Sequence, residues 1–347
     1  MKVLLTGSAG FIGTAIGDLL EAGGHEVVRV DLMLPMAHGA TSPPKGTHRL
    51  DVRDAGSWTG LLSGADAVCH QAAVVGAGVR VGDLPDYAGH NDLGTAALLA
   101  AMHEAGVHRL VLASSMVVYG EGRYRCDRHG DQPTSPRSVA ALEAGDFENH
   151  CPVCGDPLDW APVEEAARLD PRSSYAASKV AQEHYTSAWV RQAGAAAVAL
   201  RYHNVYGPGM PRDTPYSGVA AMFRSSLERG EPPRVFEDGG QARDFVHVDD
   251  VARANLAALR AVVEEPAGRF AAYNVASGRP VTILEVAGLV ARGAGAGVDP
   301  EVTGEFRPGD VRHVVASAEL AARELGFRAE VLPEEGLPAF AHAPLRT

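Results

Sequence analysis

No stretch of this 347-residue chain is apolar over the roughly 18 residues that a membrane-crossing helix needs. The chain also lacks any long run of lysine or arginine, and its formal net charge is −12. Nucleic acid and anionic membrane are therefore excluded as partners on electrostatic grounds. A phosphate-bearing ligand must instead be held by individual arginines or helix N-termini, against the overall field. Cysteine is scarce, with four in the chain. So few in a chain this long argue against a disulfide scaffold and for reduced thiols or a metal, which fits an expected cytoplasmic location. The opening Met1-Lys2-Val3-Leu4-Leu5 is too short for a signal peptide and runs directly into glycines, so it reads as a buried strand. No internal repeat is visible. Apolar residues make up 46% and charged residues 21%, which rules out wholesale disorder. The length suits one large domain or two smaller ones.

What is present starts with glycine. Val3-Leu4-Leu5 is followed by Gly7, Gly10 and Gly13, then by a helical pattern through Leu20. Glycines three apart between a strand and a helix let the backbone approach a pyrophosphate and aim the helix N-terminus at it. The next strand, Glu26 to Val30, ends in Asp31. An acid there accepts hydrogen bonds from both hydroxyls of an adenosine ribose and repels a 2′-phosphate, which points to NAD over NADP. Leu50-Asp51-Val52 ends a further strand, with Asp51 in reach of an adenine amino group. Ala65 to Ala73 is a fourth, closing on Ala72 and Ala73, whose small side chains suit a close cofactor. Its Cys69 and His70 read as packed core residues. Asn91 through Ala105 reads as helix, Arg109 to Ser115 as the fifth strand and Ala195 to Leu200 as the sixth. This alternation predicts an α/β fold with a Rossmann-type, doubly wound parallel sheet and ligands at the strands' C-terminal ends. Ser114 and Ser115 stand at such an end.

Tyr175 and Lys179 are four apart at the start of another helical run, so both lie on one face. An ammonium beside a phenol stabilises the phenolate. The Tyr175 pKa is expected to fall from about 10 toward neutrality, which makes a general base.

In chain order these stretches are Thr6-Gly7-Ser8-Ala9-Gly10-Phe11-Ile12-Gly13, Ser114 to Gly120, and Tyr175-Ala176-Ala177-Ser178-Lys179. Arg201 to Gly209 and Arg243 to Asp250 follow. Together they resemble the extended short-chain dehydrogenase/reductases of the NAD-dependent epimerase/dehydratase family, which act on nucleotide sugars. The resemblance spans nearly the whole chain, to about Asp310. It implies a catalytic triad of Ser115, Tyr175 and Lys179. It implies that Asn204, Val235, Phe236, Arg243, Arg307 and Asp310 contact a nucleotide-diphosphate sugar. With the glycines and Asp31, it implies that Phe11, Ile12, Leu32, Asp51, Val52, Ala72, Ala73, Asn91, Ser114, Tyr175, Lys179 and Tyr202 contact tightly held NAD. The helices Asn91–Ala105 and Tyr175–Gln192 look like the pair that this family uses for a homodimer.

Two departures narrow the reading. Dehydratases of the family carry an Asp-Glu pair after the catalytic hydroxyl, whereas this chain has Met116 and Val117, which transfer no proton. That leaves an NAD-dependent 4-epimerisation of a nucleotide sugar. The alternatives are a nucleotide-sugar oxidoreductase and a non-catalytic NAD-binding sensor or scaffold. The second departure is an insertion, 121–170, with Cys126-x-x-His129 and Cys151-x-x-Cys154, each pair followed by glycine. Such spacing suits a structural zinc ion with no open position. The insertion is polar and lacks apolar residues for a core of its own, so a metal would substitute for one. It is similar to one in 4-epimerases of the dTDP-L-rhamnose type, which implies a dTDP-6-deoxyhexose, with a UDP-hexose as the other choice.

The expected organisation is a Rossmann domain at 1–205, with 242–276 returning to it. A smaller nucleotide-sugar lobe comprises 206–241 and 277–347. Its Pro-rich end, beyond about Leu332, is expected to be poorly ordered.

Overall fold

Seven parallel strands form the central sheet: β1 (Lys2–Thr6), β2 (Glu26–Asp31), β3 (Thr47–Arg49), β4 (Ala67–His70), β5 (Arg109–Ser115), β6 (Ala196–Tyr202) and β7 (Phe270–Val275). Their order is β7-β6-β5-β4-β1-β2-β3. These come from a computed structural model that describes residues 1–39, 42–78, 80–212, 218–295 and 297–346. Residues 213–217, within the expected smaller lobe, lie outside the described residues.

Near-continuous apolar strands are what a sheet buried on both faces requires. Alternate side chains go to opposite sides. Val3, Leu5, Cys69, Val111, Val198 and Leu200 pack under helices α1 (Phe11–Ala22) and, later in the chain, 248–264. Leu4, Val68, Leu110, Leu112 and Ala197 pack under α2 (Gly94–Glu104) and α3 (Ser174–Ala193). The α3 ends are written in sequence: the Ser173 hydroxyl accepts from the Ala176 N–H at 3.1 Å, and Gly194 closes the helix in the left-handed region. Strand order reverses direction between β1 and β4, and the crevice there is where ligands of such sheets bind.

The smaller lobe has its own core of Tyr206, Phe223, Phe245, Leu337 and Phe340. Of the segment expected to return to the first domain, α4 (Val248–Glu264) and β7 do so. Its first strand, Ala242–His247, pairs instead with Asn204–Tyr206 and Pro280–Thr282. The expected disorder beyond Leu332 is overturned. Pro333–Phe340 is a helix whose Leu337 and Phe340 are buried against helix Ile283–Ala294. The proline count concealed this: Pro333 occupies the first turn, where no N–H is needed, and the helix also tolerates Pro338 near its end.

The insertion is not a bare loop either. Gly130–Gln132, Arg123–Cys126 and Asp159–Ala161 form a three-stranded antiparallel sheet, with a short helix, Val139–Glu143. Its apolar cluster is small, comprising Tyr124, Cys126, Cys151 and Leu158 with Cys154 alongside.

Phe340→Ala should lower stability by about 3 to 5 kcal/mol, the usual result of emptying a buried aromatic site. A shift in the denaturant midpoint worth less than about 1 kcal/mol would mean that the last helix is only loosely attached.

Candidate active site

The glycine turn is a steric necessity. Gly7 leaves β1 at φ +65°, and a Cβ there would lie 2.6 Å from the Ala72 nitrogen. A Cβ on Gly13 would lie 2.0 Å from the Gly7 carbonyl oxygen. Gly10 begins α1 without any side-chain cap, so the first-turn N–H groups of the helix are left to the space in front of them. That space is a cavity of ≈ 370 Å³ bordered by Gly7, Gly10, Phe11, Ile12, Gly13, Asp31, Leu32, Asp51, Val52, Ala72, Ala73, Ser114, Tyr175, Lys179 and Tyr202. These residues come from α1, α3, the ends of β2, β5 and β6 and the turns after β1, β2, β3 and β4, and the switch in strand order brings them together. Such a cradle fits a dinucleotide.

Asp31 accepts from the N–H of Ala9 at 3.0 Å and of Met33 at 2.8 Å, and His38 Nε2 lies 3.3 Å away. Burial raises its pKa, but His38 and the two N–H groups outweigh this and hold the carboxyl below its ordinary value. Asp51 carries Arg53 on its carboxylate at 2.6 Å, so its charge toward the cavity is partly balanced. Asn91 stands one layer behind the wall. It is fully buried, its Oδ1 accepts from Val74 N–H, and its Nδ2 donates to the Val74 carbonyl and to Ser178. It shapes the cavity through Val74, which lines it.

Ser115 ends β5; its hydroxyl accepts from the Val117 N–H at 3.4 Å and stands near enough to the Tyr175 phenol to favour its ionised form. Lys179 is buried and donates to the Ala113 carbonyl at 3.0 Å, with its Nζ 5.8 Å from the Tyr175 ring centre. The three expected catalytic residues therefore meet. The expected fall in the Tyr175 pKa does not follow. Burial pushes the phenol above its ordinary value, and Ser115 offsets only part of the rise. Burial also lowers Lys179 to about 8 from 10.5. The physical reason is desolvation, which disfavours both charged forms. The ammonium is also aimed at a carbonyl, not at the phenol oxygen.

Sequence reading missed the support behind this group. Ser114 donates to Glu183 at 2.5 Å, and Glu183 takes two bonds from Arg201, at 2.9 and 2.7 Å, all deeply buried. Glu183 lies one turn beyond Lys179, a spacing that signals a shared face but not a partner on β6. Arg346 was also missed. It lines the cavity, donates to the Ala9 carbonyl and reaches His38 Nδ1. No local pattern could signal a contact 337 residues apart.

A second cavity of ≈ 770 Å³ adjoins through Asn204, which borders both. It gathers Phe236, Arg243, Arg307 and Asp310. Arg307 lies 4.9 Å over the Phe236 ring. Arg243 is half-buried and bonded to the carbonyls of Ala242, Val311 and Arg312. Its partners are carbonyls, so its charge remains for an anion. The Asn204 carbonyl oxygen is buried without a partner. Val235 departs from the expectation: it is fully buried in the smaller lobe's core and leaves the cavity face to Phe236.

In the insertion, Cys126, His129, Cys151 and Cys154 converge, with their ligand atoms all within 4.8 Å of one another. Cys126 Sγ is 3.7 Å from Cys154 Sγ and 3.4 Å from His129 Nδ1. A tetrahedral site with zinc–sulfur bonds of about 2.3 Å needs edges of about 3.8 Å, so the set fits a zinc ion. Burial opposes ionisation at Cys151, but the backbone N–H groups of Cys154 and Val153 outweigh it and lower the thiol to about 6.

A model of the NAD dependent epimerase/dehydratase family matches residues 3–142 and 151–276. A dTDP-L-rhamnose 4-epimerase of Burkholderia thailandensis is 34% identical to the chain, over 97% of this chain and 93% of that protein. A UDP-glucose 4-epimerase of Mycolicibacterium smegmatis is 32% identical over 97% and 96%. Among solved structures, the Thermus thermophilus UDP-glucose 4-epimerase in complex with NAD superposes with a TM-score of 0.74. It is 33% identical and covers 98% of both chains. The Thermotoga maritima UDP-glucose 4-epimerase with UDP-glucose gives 0.77 at 26% identity, over 98% of this chain and 97% of that one.

Because the Lys179 pKa is lowered, the native state binds fewer protons than the unfolded chain between about 8 and 10.5. Stability from this group therefore rises with pH across that window. In nucleotide-stripped protein, Lys179→Met should be at least as stable as the parent at pH 7, and its advantage should shrink by pH 10. Denaturant titrations at the two pH values test this. A loss of stability that is equal at both would show that the ammonium is not strained by burial.

Proposed function

The chain belongs to the NAD dependent epimerase/dehydratase family, and on that premise we propose that it inverts C4 of a nucleotide-diphosphate sugar. One observation carries the reading. Tyr175 and Lys179 line the glycine cradle with Ser115 next to Tyr175 at the end of β5, while the turn that follows Ser115 offers only Met116 and Val117. A 4,6-elimination needs a second acid and base beside the sugar, and this turn supplies neither.

The NAD that the cradle fits supplies a hydride acceptor and donor at C4. The protein's own groups do the rest. Ser115 holds the sugar 4-hydroxyl beside Tyr175. Tyr175 takes the hydroxyl proton as the C4 carbonyl forms and returns the same proton when the hydroxyl is restored. One base therefore serves both halves of the reaction. Lys179 supplies positive charge next to the phenol and the nicotinamide ribose. The diphosphate goes to Arg243 and Arg307, and the base lies against Phe236. Between the two halves the keto-sugar must turn over, and the open junction at Asn204 between the two cavities suits that turn.

The finer reading is a dTDP-6-deoxyhexose as substrate, supported by the dTDP-L-rhamnose 4-epimerase relative and by the insertion with its Cys₃His set. A UDP-hexose is the alternative. The Cys₃His set holds one structural zinc ion. α2 and α3 pack on each other and leave Tyr185 exposed, which suits a homodimer through that face in the cytoplasm.

Incubation with UDP-, dTDP- and GDP-sugars without added cofactor should equilibrate one C4 pair by NMR with no net NADH. Stoichiometric NADH would instead assign an oxidoreductase, and absence of turnover with every sugar would assign a binding protein. Tyr175→Phe should keep its NAD and lose about 10²- to 10⁴-fold in kcat.

Metal analysis of protein purified without chelator should find about one zinc per chain. Less than half an equivalent would remove zinc from the insertion.

A further inference from the structure

The insertion and the nucleotide cavity share a buried ion network. Arg312 is 1% exposed, and its guanidinium is surrounded by carboxylates. It meets Glu148 of the insertion at 2.6 Å and, in the smaller lobe, Glu237 and Asp238, both at 2.8 Å. Arg137 of the insertion takes the other side of Glu237, at 2.8 and 3.0 Å, and donates to the Asp310 carbonyl at 2.8 Å. Glu237 is held in the left-handed region at φ 55°, where a side chain is strained, and it lines the cavity.

The same segment, 310–313, is gripped by its backbone. The Arg312 N–H donates to Glu121 and the His313 N–H to the Tyr124 hydroxyl, while the His313 ring meets Glu148 at 3.0 Å. Tyr124 is two residues from Cys126, and Glu148 is three from Cys151. The metal-ligand set thus pins the two stretches from which these grips arise. On the opposite side, the carbonyls of Val311 and Arg312 accept from Arg243 at 2.6 Å each.

We propose that the insertion is a brace for the diphosphate end of the substrate. Through Arg137, Glu237, Arg312 and Glu148 it fixes segment 310–313, and that segment orients Arg243 and presents Arg307 and Asp310. Arg137 and Glu148 are positioning residues: they touch neither the cofactor cavity nor the reacting sugar. The proposal rests on the nucleotide-sugar reading of this site.

The test uses NAD-loaded full-length protein with free UDP and dTDP as calorimetric probes, so that affinity is read without turnover. Arg137→Met and Glu148→Gln should each weaken the better-bound diphosphate about tenfold and raise KM similarly. The kcat and NAD content should stay within about twofold of the parent. Arg137→Lys, which keeps the charge but not the two-pronged contact, should recover only part of the loss. Zinc removal should weaken diphosphate binding in the parent but have much less effect in Arg137→Met, because both act through one element. If the protein unfolds when zinc is removed, the Arg137 series still decides. Unchanged diphosphate affinity in folded Arg137→Met and Glu148→Gln, or a fall in kcat at constant KM, would overturn the brace. If neither UDP nor dTDP binds the parent protein, the nucleotide-sugar reading fails with it.

Discussion

The structure depends on one close approach: α1 meets the end of β1 with no side chain between them. The Gly13 position leaves 2.0 Å to the Gly7 carbonyl, and the Gly7 position leaves 2.6 Å to the Ala72 backbone. Any side chain at either point would push the helix off the sheet. It would also fill the space where first-turn N–H groups face the cavity. From that contact the rest of the site is placed. β4 is fixed against β1, β5 against β4 and β6 against β5, and α3 lies across them. Ser115 and Lys179 thereby arrive within one cavity's width of the glycine turn.

Electrostatics then works locally against the global charge. A chain with a formal charge of −12 must hold a dinucleotide and a diphosphate. On the proposed reading it would do so with backbone N–H groups at one end and with Arg243 at the other. Arg243 is anchored by three carbonyl bonds, so its orientation is set without cancelling its charge. Burial pushes Tyr175 up, so it rests as a phenol, and lowers Lys179 to about 8, which leaves it mainly an ammonium at neutral pH. A phenol held in that state needs a neighbouring positive charge before it can take a proton. It suits a reaction whose two halves take and return one proton.

The fold was legible in sequence because strand periodicity, glycine spacing and helix caps are local signals. So were the meeting of Ser115, Tyr175 and Lys179, the place of Asp31 and the convergence of Cys126, His129, Cys151 and Cys154, since each belongs to a short motif with fixed spacing. What was not legible is of two kinds. Arg346 and Arg201 act on partners far away in the chain, and nothing near them in sequence marks the pairing. The Tyr175 pKa depends on how much solvent reaches the phenol, and a spacing of four residues carries no information about that. Val235 and Phe236 show the limit at finer grain. Val235 ends a two-residue strand and Phe236 follows it, and only the packed lobe settles which one meets the cavity.

The Arg312 network raises a question that stability alone does not answer. Two buried guanidiniums and the buried Glu237 carboxylate lose much hydration, while Glu148 and Asp238 keep part of theirs, and well-packed apolar side chains in place of buried ion pairs are commonly as stable or more so. Glu237 adds backbone strain at φ 55°. What the ionic arrangement supplies is uniqueness of position. Arg312 reaches Glu148, Glu237 and Asp238 at once, and Arg137 reaches Glu237 and the Asp310 carbonyl at once. A shift of any one element by an ångström leaves a charge buried and unpaired, at a cost of several kcal/mol. An apolar contact would tolerate the same slide. If Arg243 and Arg307 meet the two phosphates while the sugar stays free to turn, as proposed, the cavity has reason to fix one end that firmly.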